Sequence, residues 1–256
     1  MPNHFSKVIN QDQRIMNIQT LWRHTPITLI LLIIFVLLAV IQWIFGVSID
    51  NPSNRDLVRF GANFLPLSLT YEPWRLISSG FLHIGIIHLL FNSFAMYYFG
   101  QAGELIFGRW QFLLIFLWSV IGGGCLTLLV TWWQIQAGGQ AIVSAGASGG
   151  IMGLGMAILM AAWLKTWQAR HISIKHLAMV MGLNLVMGFA VDGVDNAGHI
   201  GGLLVGGLLG VAFALQHKKH NEQRGLPYFW AVSLVLLMVF TGFWWVLQGE
   251  MMVLLS

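Results

Sequence analysis

Charge is scarce in this sequence. Only 9% of its 256 residues are Asp, Glu, Lys or Arg, while 57% are hydrophobic. A soluble globular chain carries about 25% charged residues. With so few, a folded chain could not cover its surface in water, which excludes a soluble domain and points to a bilayer as the solvent. Cysteine is almost absent as well. Cys125 alone excludes an internal disulfide and a cysteine-built metal site, and its apolar neighbours predict buried packing. A basic face for nucleic acid is also missing. The net charge of +4 is spread around apolar runs rather than clustered. No repeat of fixed period is visible, which argues against a transporter assembled from inverted halves.

What is present is a series of seven apolar runs, near 26–47, 81–99, 110–133, 148–164, 174–190, 197–216 and 227–248. About 20 residues of helix span a hydrocarbon core of roughly 30 Å. In lipid such runs must be helical, because every backbone polar group needs an internal partner. The expected fold is therefore all-α, a polytopic membrane helix bundle with seven spans. Pro26 and Pro227 are expected at the first position of the first and last helices, where a missing N–H costs little. The first run is too long and too far from the start to be a signal peptide. Residues 1–25 are expected to form a short cytoplasmic tail, 26–216 to hold six of the runs, and 217–256 a loop with the seventh.

Lys and Arg set the orientation. With the N-terminus inside, Lys7, Arg14, Arg23, Arg109, Lys165, Arg170, Lys175, Lys218, Lys219 and Arg224 are cytoplasmic, and only Arg55, Arg59 and Arg75 are outside. The C-terminus is then extracytoplasmic. Trp43, Trp132, Trp133, Trp163, Trp167, Trp230, Trp244 and Trp245 fall near run ends, as an interfacial aromatic belt requires. The outer loop 48–80 is long enough to be functional. Its apolar stretch Phe64-Leu65-Pro66-Leu67 predicts a segment lying partly in the membrane interface.

Polar side chains inside spanning helices are costly and often functional. The second run carries His83, His88 and Asn92. The fourth opens with Gly146-Ala147-Ser148-Gly149-Gly150, and the sixth with Asn196-Ala197-Gly198-His199. All three runs point from outside to inside, so these residues share one depth, although none of them entered the charge count. Ser148 stands about 17 residues from the Trp163–Lys165 boundary. That is roughly 25 Å of helix, which places it several ångströms beneath the outer surface in a cavity.

This set suits acyl transfer. Ser148 needs a base to become a nucleophile, and His199 can take and return a proton near neutral pH. A tetrahedral oxyanion needs preorganised donors. The backbone N–H of Ser148, with His88 and Asn92 on one face at i and i+4, can supply them. His83 is given a weaker supporting role. No embedded carboxylate is available to orient His199, since Asp192 and Asp195 fall in the preceding loop and are expected to be solvated. A two-residue dyad is therefore preferred to a triad.

Blander readings stand beside this one. Gly146 with Gly150, and Gly202 with Gly206, form small-xxx-small pairs that let helices approach, and Ser148 alone would read as packing. A lone His199 would read as an interhelical hydrogen-bonding residue, His88 and Asn92 as cross-helix polar contacts. Glu104, just past the second run, reads as part of an interfacial ion pair. A histidine metal site of His83, His88 and His199 lacks a nearby Glu and any HExxH spacing. The conjunction of an alcohol, two imidazoles and an amide at one depth favours chemistry.

The motif set resembles the rhomboid intramembrane proteases. Gly146-Ala147-Ser148-Gly149 resembles the family's nucleophile motif, and Gly198-His199-Ile200-Gly201-Gly202 with Gly206 its catalytic-histidine helix. His88-Leu89-Leu90-Phe91-Asn92 resembles the oxyanion-side helix, with His83 as its earlier histidine. Trp74-Arg75 resembles the outer-loop signature. Gly100-Gln101-Ala102-Gly103-Glu104 with Gly108 resembles the exit of the second helix. The resemblance covers roughly 50–216. It implies a six-helix catalytic core with one extra C-terminal helix, Ser148 as nucleophile and His199 as base. Ser148, His88 and Asn92 would form the oxyanion site. It further implies cleavage of single-span membrane proteins near their outer ends, with no metal or other cofactor, in a lipid membrane, plausibly a bacterial inner membrane. Met152, one turn after Ser148, departs from the family's frequent aromatic residue. Its thioether can still contact an imidazole. A catalytically silent membrane-protein binder of the same family is the alternative reading.

Overall fold

The computed structural model describes residues 18–190, 194–217 and 227–255. Lys7, Arg14, Asp192, Lys218, Lys219 and Arg224, on which the charge and loop expectations partly rest, lie outside the described residues, as does most of the 1–25 tail.

Among the described residues seven long helices follow one another: α1 Pro26–Ile44, α2 Ile86–Phe107, α3 Arg109–Gln136, α4 Ser148–Trp163, α5 Ile174–Ala190, α6 Asn196–His217 and α7 Tyr228–Leu255. α1, α3, α6 and α7 are each long and apolar enough to cross a bilayer. α2 qualifies together with the short preceding stretch Arg75–Phe81, from which it is bent by 93°. α4 and α5 are shorter, at 16 and 17 residues. The chain is a polytopic membrane helix bundle.

α6 lies against both α4 and α3, and α2 lies against α1 and α4. Glycine makes the central contacts possible. A β-carbon on Gly202 would stand 2.0 Å from the carbonyl oxygen of Gly149, and one on Gly206 would stand 2.0 Å from that of Gly153. On the opposite side of α6, a β-carbon on Gly201 would meet Gly122 O at 2.4 Å. Backbones this close replace the hydrophobic driving force that lipid cannot provide between helices. Around this seam Phe35, Phe112, Ile115, Phe116, Leu154 and Ile158 are buried in one cluster. Cys125 is buried and unpaired.

Several expectations need correction. α2 begins at Ile86, not near 81, so His83 is not on the helix. Gly85 precedes α2 with φ +90°, a backbone conformation that glycine adopts without strain, and the chain turns there. The helix also continues to Phe107, so Glu104 lies inside it rather than past its end. Glu104 is buried and, among the described residues, makes no ion pair. It accepts hydrogen bonds from Ile27 N (3.0 Å), Thr28 N (2.8 Å) and Thr28 Oγ1 (2.8 Å). These amides are among the orphan donors at the start of α1, where the helix dipole favours a negative charge. α7 starts at Tyr228, leaving Pro227 just before its first residue.

The long outer loop is folded. It contains the short helices Asn54–Arg59, Leu65–Thr70 and Arg75–Ser78, and a two-residue strand β1 (Asn63–Phe64) antiparallel to β2 (Val143–Ser144). Arg75 is buried at its centre and donates through Nη1 to Val58 O (2.6 Å) and Ala62 O (3.1 Å) and through Nε to Glu72. Its guanidinium lies over the Trp74 ring, 4.9 Å from the centroid. The loop also binds α7. Trp244 Nε1 donates to Ser68 O at 2.8 Å, and Gln248 Nε2 to Thr70 O at 3.1 Å. Trp244 is thus a tertiary hydrogen-bonding residue, and both it and Trp245 lie inside α7 rather than near its end, where the expected aromatic belt had placed them.

Candidate active site

Four segments converge at the start of α4. Ser148 is the first residue of that helix, so its backbone N–H has no partner within it. Before it runs β2, whose Ser144 pairs with Asn63 of β1. Asn63 is itself fixed, donating through Nδ2 to Gly124 O of α3 (3.2 Å) and accepting from Ser68 Oγ (2.7 Å). Gly146 N donates to Ser79 O at 2.9 Å. The folded loop therefore dictates the approach to Ser148.

Gly146 has φ +146° and faces both His88 and Ser148. A β-carbon there would lie 2.7 Å from His88 Cε1, 3.1 Å from His88 Nε2 and 3.6 Å from Ser148 Oγ. The missing side chain is thus what lets the imidazole edge and the hydroxyl share one space. Gly146 supports the site in this way, but its N–H is already engaged by Ser79 and is not a free donor.

The His88 tautomer follows from its partner. Ile84 N donates to His88 Nδ1 at 3.2 Å. A neutral imidazole that accepts at Nδ1 carries its proton on Nε2, and Nε2, together with the nearer Cε1, borders the space at Gly146 that Ser148 Oγ also borders. One turn on, Asn92 is buried and donates through Nδ2 to His88 O at 3.0 Å. One of its two amide protons is spent there, which leaves the other. His83 stands behind His88, edge to face, with ring centroids 5.5 Å apart. It also packs against Phe35 at 5.0 Å. Neither His83 nitrogen has a hydrogen-bond partner. His83 lines a cavity of about 180 Å³ together with Val36, Gln42, Trp43 and Leu89. Ser148 does not line that cavity. It is half-buried instead, at the convergence of the loop and the helix ends.

His199 reaches the same region through the α4–α6 seam. A β-carbon on Gly149 would be 3.0 Å from Gly198 O, so the residues next to Ser148 and His199 touch. His199 is buried, and its Nδ1 has no partner. Its ring and Ser148 Oγ are not hydrogen-bonded to each other in this structure. Catalytic hydrogen bonds are often long without substrate and tighten when it binds. Met152 is buried one turn below Ser148 on α4.

Asp195 is not the solvated loop residue the sequence suggested. It is half-buried and caps α6, with Oδ1 accepting from Gly198 N at 2.8 Å. Its other oxygen, Oδ2, accepts from Thr127 Oγ1 of α3 (2.6 Å) and from Ser144 Oγ of β2. An Asp three residues before a helical N–H is a readable capping signal. The two cross-chain bonds had no signal in the sequence. Trp74, Arg75 and Glu104 lie away from this convergence, in the loop and at the start of α1. Gly202 and Gly206 shape the seam that carries His199. Among the described residues, no three His, Cys, Asp or Glu side chains gather into a metal-binding group.

The arrangement joins a hydroxyl at a helix N-terminus, an imidazole N–H, an amide and a second buried imidazole. Comparison with known proteins gives the family. The model of the Rhomboid domain matches residues 70–216. The rhomboid protease GluP of Bacillus subtilis (strain 168) is 36% identical over 190 residues, 74% of this chain and 35% of that protein. The RHOMBOID-like protein 6, mitochondrial, of Arabidopsis thaliana is 34% identical over 177 residues, 68% of this chain and 54% of that protein. The rhomboid protease AarA of Providencia stuartii is 28% identical over 232 residues, 84% of this chain and 82% of that protein. This chain thus spans about a third of the first relative and about half of the second. The domain match spans more than half of the chain and the first relative is 36% identical over 74% of it, and on this ground the chain belongs to the rhomboid family.

Proposed function

We propose that the chain is an intramembrane serine endopeptidase that hydrolyses peptide bonds in or near the transmembrane segments of single-span membrane proteins. Ser148 is the nucleophile and His199 the base. Ser148 Oγ attacks the scissile carbonyl carbon as His199 takes its proton. The resulting oxyanion is met by the Ser148 backbone N–H, His88 Nε2–H and the free Asn92 amide proton. The imidazolium then returns its proton to the leaving amine, and water activated by the same imidazole releases the acyl group. Fixed donors in a site shielded from bulk water stabilise such charge without reorganising.

The observation that carries this reading is the space opened by Gly146, which His88 Nε2 and Ser148 Oγ share. The names of GluP and AarA as rhomboid proteases support the reaction class. The excess of cytoplasmic Lys and Arg supports an inside N-terminus, an outside C-terminus, and a site opening toward the outer surface. A bacterial inner membrane fits the two bacterial relatives. His83 supports His88 from behind, and the six-helix core with its added seventh helix is the catalytic unit.

The test is cleavage of a panel of single-span reporters by the purified chain in lipid. Wild type is expected to cut at least one of them. Ser148→Ala and His199→Ala should each reduce cutting by roughly 10⁴-fold or more while keeping the wild-type melting temperature. Cleavage that survives Ser148→Ala would rule the assignment out.

A further inference from the structure

We infer that Asp195 is a positioning residue for this reaction, acting as the junction that holds the nucleophile's strand and the base's helix in register. The inference rests on the Ser148–His199 reading and adds to it a third residue that does not touch the reacting atoms.

The carboxylate of Asp195 joins three parts of the chain. Oδ1 caps the first turn of α6 through Gly198 N, and His199, four residues after Asp195, stands on that same turn. Oδ2 accepts from Ser144, four residues before Ser148, and from Thr127 on α3. The two partners stand 51 and 68 residues away in sequence. Charge-assisted bonds of this kind are roughly twice as strong as neutral ones. No other side-chain hydrogen bond joins β2 to the start of α6 among the described residues. The approach of Ser148 and the pose of His199 thus share one fixed point.

Asp195 is not the third member of a triad. The Nδ1 of His199 is buried and accepts or donates no hydrogen bond. Asp195 reaches His199 only through the backbone, its carbonyl oxygen accepting from His199 N at 3.1 Å. Its influence on the ring runs through the placement of α6, together with a negative charge held one turn from an imidazole that becomes positive during reaction. Small displacements of catalytic groups cost rate steeply, about 100-fold for 1 Å.

Asp195→Ala and Asp195→Asn separate positioning from simple stabilisation. Asn caps a helix about as well as Asp, but its amide nitrogen cannot accept from Ser144 and Thr127. Three quantities are read: kcat and KM on a reporter that wild type cuts, the rate at which a fluorophosphonate labels Ser148, and the melting temperature. Asp195→Ala is expected to lower kcat and the labelling rate by roughly 10- to 100-fold with KM little changed. Asp195→Asn should regain the melting temperature but not the full kcat. Full recovery of kcat by Asp195→Asn, or an unchanged labelling rate in Asp195→Ala, overturns the inference. If Asp195→Ala does not fold, the double variant Ser144→Ala, Thr127→Val leaves the helix cap intact. It should show the same loss of kcat, and wild-type kcat there also overturns the inference. Failure of wild type itself to be labelled would instead sink the Ser–His reading.

Discussion

His88 shows how one backbone contact determines what a side chain can do. Because Ile84 N–H occupies Nδ1, Nε2 is left as a donor aimed at the space beside Ser148. Loss of one oxyanion donor typically costs 10²–10³ in kcat. His88→Ala is therefore expected to lower kcat by about that factor with a modest change in KM, measured on the reporter wild type cuts. An unchanged kcat would remove His88 from the oxyanion site. Ser148, His88, Asn92 and His199 were legible in the sequence because uncompensated polar groups are rare in apolar runs and therefore conspicuous. Glu104 and Asp195 were not. Their partners lie 76 and 68 residues away, and no local pattern encodes such a pairing. Glu104 fell near a run's end and so resembled an interfacial charge, yet it caps the start of a different helix.

Among the elements, the α4–α6 seam governs how close Ser148 and His199 can come. Gly206 has no room for a side chain against Gly153. Gly206→Val is expected to push the helices apart, costing about 1–3 kcal/mol of stability from overpacking and most of the activity. Gly207→Ala, one residue on, would meet only the flexible Met156 side chain at 3.1 Å and should behave nearly as wild type in melting temperature and turnover. Equal effects of the two would show that the seam does not set the site. The small-xxx-small spacing made this contact readable from sequence. The start of α2 was misread because Phe81–Ile84 is as apolar as the helix it precedes. Hydropathy does not register the turn at Gly85 or the 93° bend before it. The outer loop was recognised as more than a tether, but its organisation around Arg75 depends on carbonyls of Val58 and Ala62, which every residue possesses.

For the molecule as a whole, composition alone was enough to point to a bilayer, and the seven apolar runs correspond to the seven long helices among the described residues. How the parts brace one another was not accessible. α7 holds the outer loop through Trp244 and Gln248. The loop holds β2 through β1, β2 leads into Ser148, and Asp195 ties β2 to α6. The candidate site is thus braced by α7, the outer loop and α3 as well as by the two helices that carry Ser148 and His199. The proposed reaction rests on the reactivity of one hydroxyl, and the most direct measurement is covalent capture. The full chain in lipid is treated with a fluorophosphonate, and the modified peptide is located by mass spectrometry. The account predicts a single adduct on Ser148 that falls to background in His199→Ala. An adduct on a different residue, or equal labelling of Ser148 without His199, would contradict it.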